Sequence, residues 1–492
     1  MTQKKLKGLS DIRRFFHRND TPIYFVSATN FNLLGIDEWV RNFRHINYID
    51  CFDGRHPNTF VPTRGLHEEF GSIEEIVNYL LQHKETVEWV RERARRRDLT
   101  ENPGKAVFLM FDEKSEEICN ELGLDVWFPA AGLRSRVDNK IETVRIGDRA
   151  GVPSVPNVLA AVKSWSDLQK AGKELGDDWV VQTAFGDSGH TTFFISNEDE
   201  YAEHADEIAA ESEVKIMKRI RCRGSAIEAC TTQQGTIVGP LMTELVGFPE
   251  LTPYRGGWCG NEIFAGAFTE SIRQQAVAYT FAFGEQLRQE GYRGYFELDF
   301  LVDLDEDRLY LGELNPRITG ASSITNHAAF AHADAPLFLF HLLEFSGVEF
   351  EFDVEDLNAR WSDPDNIDEW SQLVVKHVSD DIDHVVEAPE SGIWRLPPGG
   401  ELEYARFDYH RRAVETENEG FWLRICGKGD YRYEGADLGI LITRGRLMTE
   451  DFELTERARA WIDGLRGRYR GEALGARDPS VEVLSAGSFK IL

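Results

Sequence analysis

The chain has 492 residues and a formal net charge of −29, with 84 Asp and Glu against 55 Lys and Arg. So acidic a chain lacks the basic face that a phosphate backbone needs, which argues against nucleic acid as a partner. The length predicts roughly two to four domains, and no run approaches the roughly eighteen apolar residues of a membrane span.

The basic N-terminus, residues 1–20, has no apolar core or small-residue cleavage site, so it does not read as a signal peptide. Six cysteines (51, 119, 222, 230, 259 and 426) are scattered without C-x-x-C pairs. That fits reduced thiols in a cytoplasmic protein, with neither a disulfide framework nor a zinc site.

Residues 22–27 (PIYFVS) predict a short apolar strand, followed by a polar loop and the helical pattern LLGIDEWVRNF. Residues 71–97 predict one long helix with a basic tail, and 106–111 a buried strand leading into the helix KSEEICNELGL. Strand–helix alternation of this kind predicts a small parallel sheet over residues 1–135. Helices follow over 164–175, 198–211 and 269–290, the first with Ser and Asp as N-terminal cap signals. Residues 335–345 close the central unit. Residues 352–370 are acidic and Pro-broken, a candidate boundary. Beyond it come short strands and turns, then a last helix over 453–468.

The most informative stretch is 294–320, GYFELDFLVDLDEDRLYLGELNPRITG. It reads as an apolar strand carrying Asp299, an acidic turn, and a second strand ending on Glu313, Asn315 and Arg317. Side chains alternate along a strand, so 313, 315 and 317 share a face, and Asp299 on the antiparallel neighbour can share it too. Two carboxylates and an amide oxygen are hard ligands that suit Mg²⁺ (or Mn²⁺) bridging a nucleotide's phosphates. An Arg beside them is a permanently charged fork for carboxylate or phosphate. The bland alternative is a hairpin with solvated acids.

This pattern resembles the metal-binding strand pair of the ATP-grasp superfamily. Further landmarks follow in order: RVDNKIETVRIGDRAGVPSVP (136–156), WVVQTAFGDSGHTTFFI (179–195) and the segment 214–235. The resemblance covers roughly residues 105–345. It implies an α/β ATP-grasp fold: a Rossmann-like N-terminal domain over 1–135, an ATP-grasp domain over 136–350 with a lid at about 176–250, and a small β-rich C-terminal domain over 351–492. It further implies an ATP- and Mg-dependent ligase that joins a small carboxylic or amino acid to an amine through an acyl phosphate, forming ADP. Its partners would be those small molecules, with no nucleic acid and no membrane; a homodimer is compatible.

Residue by residue, the resemblance puts Lys140 on the first phosphate-contacting lysine. Gly186, Ser188 and Gly189 fall in the loop over the triphosphate, where backbone N–H groups wrap phosphate oxygens. Gln182 stands where the family carries a second lysine, and Lys215 or Lys218 could compensate. Met217, Lys218 and Ile220 fall on the adenine hinge. The family's ribose acid is missing at Ala226, and Glu228 on the same strand face is the substitute. Arg317 is the catalytic candidate, placed to stabilise charge developing on oxygens. Arg255, in a long Gly- and aromatic-rich loop, and Ser322 and Ser323, after the metal strand, are candidate substrate contacts.

Two other functions compete. One is a bicarbonate-activating enzyme of the biotin carboxylase or carbamoyl-phosphate type; biotin carboxylases share E-x-N-x-R but place an acid soon after the Arg, whereas here ITGASSITN follows and no acid occurs before Asp334. A degenerate nucleotide-binding protein would not need Asp299, Glu313, Asn315 and Arg317 together.

Overall fold

The computed structural model describes residues 5–64, 70–96, 103–186, 191–326 and 333–474. Ser188 and Gly189 lie outside the described residues. The mixed α/β architecture is built on three larger sheets.

The first is five-stranded and parallel, in the order Thr59–Phe60, Phe43–Asn47, Ile23–Ser27, Gly104–Phe108, Leu124–Val126. The central strand, IYFVS, is buried along its whole length. Parallel strands covered on both faces have no polar side to show, which is why this one reads as an unbroken apolar run. Two local expectations fail here. The pattern at 33–43 gives only short 3-10 turns, Phe31–Leu33 and Ile36–Glu38, because Gly35 adopts a left-handed conformation (φ 95°) between them. The long helix over 71–97 is two helices, Ile73–Gln82 and Lys84–Arg96, broken where His83 turns extended (ψ 129°).

The second sheet is four-stranded and antiparallel: Asn157–Ala160, Val214–Lys218, Trp179–Gln182, Thr192–Ile195. It has its own small core, centred on Val162, Leu168, Trp179, Val181, Phe193 and Ile216. The third sheet has ten strands, from Arg308–Asn315 and Gly294–Asp303 at one edge to Gly392–Arg395 and Glu403–Arg406 at the other. It runs across the boundary expected near residue 350, because Trp258–Ile263 pairs with Trp370–Lys376.

Helix Glu270–Gln289 packs against this sheet through Ile272, Ala276, Phe283 and Leu287. The apolar helix Leu337–Phe345 is buried all round, with Leu337 to Phe340, Leu342 and Leu343 fully inaccessible. Each such side chain contributes about 1.5–3 kcal/mol of burial before entropy is counted. That helix therefore fixes the parallel sheet's unit against the strands that carry the acids. Among the described residues no helix is long and apolar enough to cross a membrane.

Candidate active site

Strands Gly294–Asp303 and Arg308–Asn315 are joined by an acidic turn held by Asp303, whose Oδ1 accepts from the N–H groups of Asp305 (2.8 Å) and Glu306 (3.1 Å). Asp299 lies directly opposite Glu313, and Glu297 opposite Asn315. A bulge follows, since Phe300 pairs with Leu311 and Gly312 is left over. A Cβ on Gly312 would sit 3.0 Å from the Asp299 carbonyl oxygen, so the bulge needs glycine. Bulges re-aim side chains, and this one directs Glu313 toward the cations.

Glu313 Oε2 lies 3.0 Å from Lys140 Nζ. Lys140 opens helix Lys140–Ala150, which Asn139 caps through bonds to the N–H groups of Ile141 and Glu142. The Lys140 N–H also donates to the Ala184 carbonyl (2.8 Å), tying this helix to the start of the glycine loop. Lys215 stands directly across the four-stranded sheet from Gln182. Its ammonium donates to the Gly312 carbonyl at 3.4 Å, inside the acid cluster. Burial pulls Lys215 down to about 8, with Lys140 adding to the fall and Glu313 resisting it. Of the two lysines expected to offset Gln182, Lys215 is therefore beside the acids, while Lys218 is exposed. Gln182 itself donates to Thr192 Oγ1 at 3.1 Å.

Asn315 bridges the row. Its amide donates to Asp299 Oδ2 (3.0 Å), and its oxygen accepts from Arg317 (2.8 Å). Two acids that sequence reasoning missed complete the cluster. Glu297 alternates with Asp299 on one strand, a period-two signal that was readable; Glu244 comes from a distant strand and carried none. Burial pushes Glu297 up to about 8, with Glu228 and Glu244 adding to it. Burial and the charge on Glu313 push Glu244 to about 7, and burial lifts Asp299 well above the carboxylate range. These upward shifts mean that the acids resist being ionised together, with only Lys140, Lys215 and Arg317 beside them. Asp299 Oδ1 is buried without a hydrogen-bond partner, and so is Arg317 Nε. A hard divalent cation fits this set: crowded carboxyl oxygens that a cation would let ionise, and an unused buried lone pair.

Beside the acids lies a small apolar cluster of Val155, Met217 and Tyr310, flanked by Val180, Ile220 and Leu301. It is an apolar patch between the four-stranded sheet and the acidic hairpin. The Lys218 N–H is taken by the Pro156 carbonyl (2.9 Å) and that of Arg219 by Asp178 (3.2 Å). Of the expected hinge residues, Ile220 is thus the one whose N–H is left without a backbone partner among the described residues. Gly186 closes the described part of the glycine loop with φ 138°, where a Cβ would collide with Thr191 at 2.2 Å.

Other expectations do not hold in this geometry. Glu228 is fully buried, and its carboxylate accepts from Tyr295 (2.6 Å), Thr319 (3.0 Å) and Ser322 (2.5 Å). It faces the protein interior and offers nothing to a ribose. Ser322 is consumed by that contact, and Ser323 is buried donating to Gln372 (2.5 Å), so neither lines an open pocket. Arg255 is exposed within the loop closed by Gly247 N–H to Gly257 O (2.8 Å), and makes none of the contacts described for the acid cluster.

No protein-family model matches the sequence, and no curated protein does. Solved structures do match. One is Campylobacter jejuni biotin carboxylase in a β,γ-ATP complex, at 13% identity and TM-score 0.59, over 92% of each chain. Another is the biotin carboxylase domain of Hydrogenobacter thermophilus 2-oxoglutarate carboxylase with MgADP, ADP and bicarbonate, at 12% identity and TM-score 0.58, over 92% of each chain. A third is N5-carboxyaminoimidazole ribonucleotide synthetase of Thermus thermophilus, at 15% identity and TM-score 0.51, over 86% of this chain and 93% of that one. The chain has the ATP-grasp fold. At identities this low the likeness carries the fold alone.

Proposed function

We propose that this ATP-grasp protein is an ATP- and Mg²⁺-dependent ligase joining a small carboxylic or amino acid to an amine. The observation that carries the reading is the convergence of Asp299, Glu313, Asn315 and Arg317 with Lys140 and Lys215 beside an apolar patch. The base of ATP would pack on the patch at Met217 and Ile220. Lys140, Lys215 and the loop at Gly186 would meet the phosphates, and Asp299, Glu313 and Asn315 would hold Mg²⁺. The bound ion supplies charge neutralisation on the phosphate oxygens.

An oxygen of the substrate carboxylate attacks the γ-phosphorus, the bond to the β,γ-bridging oxygen breaks, and ADP leaves. The amine nitrogen then attacks the acyl carbon of the acyl phosphate, the carbon–oxygen bond to phosphate breaks, and the amine gives up one proton. Charge builds on oxygen in both steps. The Arg317 guanidinium is held by Asn315, with one N–H buried and unused, so it is preorganised to receive that charge.

A second reading is favoured by one structural neighbour, which holds bicarbonate together with MgADP: bicarbonate would be the carboxylate, and carboxyphosphate the intermediate. Against it, Thr319 and Ser322, following Arg317, are consumed on Glu228, and no acid follows the Arg before Asp334. Phosphate release from ATP and Mg²⁺ across a panel of amino acids, other acids and bicarbonate, each with and without amines, tests both. ADP formation that needs an amino acid and an amine is expected. ADP formation driven by bicarbonate alone would favour the second reading, and AMP formation would overturn acyl-phosphate chemistry.

A further inference from the structure

A second polar cluster lies in the N-terminal unit, away from the acids. Asp37 sits on the 3-10 turn Ile36–Glu38, His45 in the middle of strand Phe43–Asn47, and His56 in the loop leading to strand Thr59–Phe60. One potential ligand atom from each lies within 4.8 Å of the others. His45 is fully buried and His56 is 5% exposed. Their rings stand perpendicular, with centroids 5.5 Å apart, enclosed by Phe25, Phe43 and Phe52.

The hydrogen bonding here is incomplete. Both ring nitrogens of His45 are buried without a partner, and so are His56 Nε2 and Asp37 Oδ1. A neutral imidazole has one donor and one acceptor, and leaving both unmet in an apolar core costs about 1–3 kcal/mol for each group. Native proteins keep such groups for a bound partner. The groups around the orphaned atoms are oriented as outer supports. Asn58 donates to the other Asp37 oxygen, Oδ2, at 2.7 Å. Thr59 Oγ1 lies 2.9 Å from His56 Nδ1; with the proton on Nδ1 the hydroxyl accepts it and Nε2 carries the free lone pair. The Asn58 N–H donates to the same nitrogen at 3.3 Å, so ligation through Nε2 requires the ring proton to move to Nδ1, where the Thr59 hydroxyl accepts it.

A fourth group comes from the far end of the chain. His410 places Nε2 3.1 Å from Glu38, while its Nδ1 is buried without a partner. Tyr409 stacks edge-on against His56 at 4.9 Å, and Arg412 pairs with Glu38.

We propose that Asp37, His45 and His56 bind a divalent transition-metal ion of the zinc type. Two imidazoles and a carboxylate suit zinc or ferrous iron; Mg²⁺ and Ca²⁺ demand oxygen ligands throughout. The cysteine spacing that argued against a zinc site has no bearing here, because no cysteine takes part. The ion would pin turn Ile36–Glu38 to the parallel sheet. The adjoining turn, Phe31–Leu33, carries Asn32, whose amide donates to the Thr319 carbonyl (2.8 Å) beside the acid row. Its role is therefore structural, setting the wall on which the ligase site rests.

The test uses the full-length chain without an affinity tag. Elemental analysis of the purified protein should give about one zinc or iron per chain. Chelation with dipicolinate should lower the melting temperature, and Zn²⁺ but not Mg²⁺ should restore it. Cobalt(II) loading should give a visible ligand-field band without a near-ultraviolet thiolate band. His45→Gln and Asp37→Asn should each weaken zinc binding by more than the roughly 10–100-fold that loss of an outer support costs. If a variant does not fold, the cobalt spectrum and chelator response of the wild type decide alone. Metal at trace levels together with a melting temperature indifferent to chelator and Zn²⁺ would overturn the site. So would a zinc stoichiometry and affinity unchanged in a folded His45→Gln protein.

Discussion

At one end of the acidic row, Glu313 meets the Lys140 ammonium at 3.0 Å and remains partly open. One register step along the same sheet face, Glu228 has no exposed surface and is held by the hydroxyls of Tyr295, Thr319 and Ser322. Both are glutamates in one antiparallel sheet, and both belong to one electrostatic cluster. What separates them is the covering layer. Lysine ammonium groups and an apolar patch face the first, whereas loop 319–326 seals the second. A carboxylate facing cations with a buried lone pair nearby can exchange partners with a ligand; one saturated by fixed hydroxyls can only hold the loop in place. The difference therefore predicts loss of chemistry at one end and loss of stability at the other.

The largest effect is expected at Glu313. Replacing it with Gln removes a charged ligand while preserving shape, and ATP turnover should fall by about 100-fold or more with the melting temperature within a few degrees of wild type. Near-normal turnover at saturating Mg²⁺ would remove Glu313 from the site. Arg317→Lys should follow closely, with turnover down about 100-fold and ATP binding by calorimetry nearly unchanged, because Lys keeps the charge but not the fork. A defect confined to ATP affinity would instead assign Arg317 to nucleotide binding.

Glu228 should behave in the opposite manner. Glu228→Ala strands the buried hydroxyls of Tyr295 and Ser322, leaves Thr319 on Glu297 (2.7 Å) and opens a cavity, and should cost about 2–4 kcal/mol in chemical denaturation. Glu228→Gln keeps the size and one acceptor oxygen and should cost less than Ala. If Glu228→Gln matched Glu313→Gln in turnover loss without destabilisation, the contrast between the two ends would fail.

A smaller, pH-dependent effect belongs to the helix that seats loop 319–326. His341 is fully buried, donating from Nε2 to the Trp127 carbonyl (2.7 Å) while Nδ1 accepts from the Tyr295 N–H (3.0 Å). Burial pulls it down from 6.5 to about 3. Between those values the unfolded chain binds a proton that the folded chain refuses, so stability present above pH 6.5 is lost as the pH falls toward 3. His341→Gln should be less stable at pH 7 but show a shallower acid slope in denaturant titrations at pH 4, 5, 6 and 7. An unchanged slope would mean that other groups carry the acid sensitivity.

The hairpin was legible because its residues follow a local pattern. Asp299, Glu313, Asn315 and Arg317 fall within nineteen consecutive positions, and period-two alternation puts the last three on one face. The apolar run at 23–27 was legible for a similar reason, since burial on both faces leaves a continuous signature. Glu244 and the pairing of Lys215 with Gln182 come from strands distant in sequence, and only the sheet register unites them. The error at Glu228 was of a different kind. Alternation correctly gave its face, but nothing local revealed that Tyr295, Thr319 and Ser322 would cover it. The cluster of Asp37, His45, His56 and His410 was illegible throughout, because its members lie on four separate elements and each looks ordinary alone.

The smallest predicted effect tests how the open end of the row tolerates its missing charge. Gln182 sits where the superfamily's pattern has a lysine, and Lys215 stands directly opposite it with its ammonium in the acid cluster. If Lys215 supplies the charge that Gln182 lacks, a second lysine across the same register meets like charge. Directly paired positions place Cβ atoms about 4.5–5.5 Å apart, and like charges there repel. Lys215 is already pulled down to about 8 by burial, so a further cation should drive it toward neutrality and little net charge would be gained. Gln182→Lys should therefore weaken ATP binding slightly, by about 1 kcal/mol or less after solvent screening. In the Lys215→Ala background, which has lost the resident charge, the same substitution should instead restore binding. Lys218 is exposed, and Lys218→Ala should leave the effect of Gln182→Lys unchanged. Calorimetric ATP affinities for the full double-mutant cycle measure the coupling directly. Additive effects of Gln182→Lys and Lys215→Ala would show that the two positions do not share one charge, and the compensation assigned to Lys215 would be wrong.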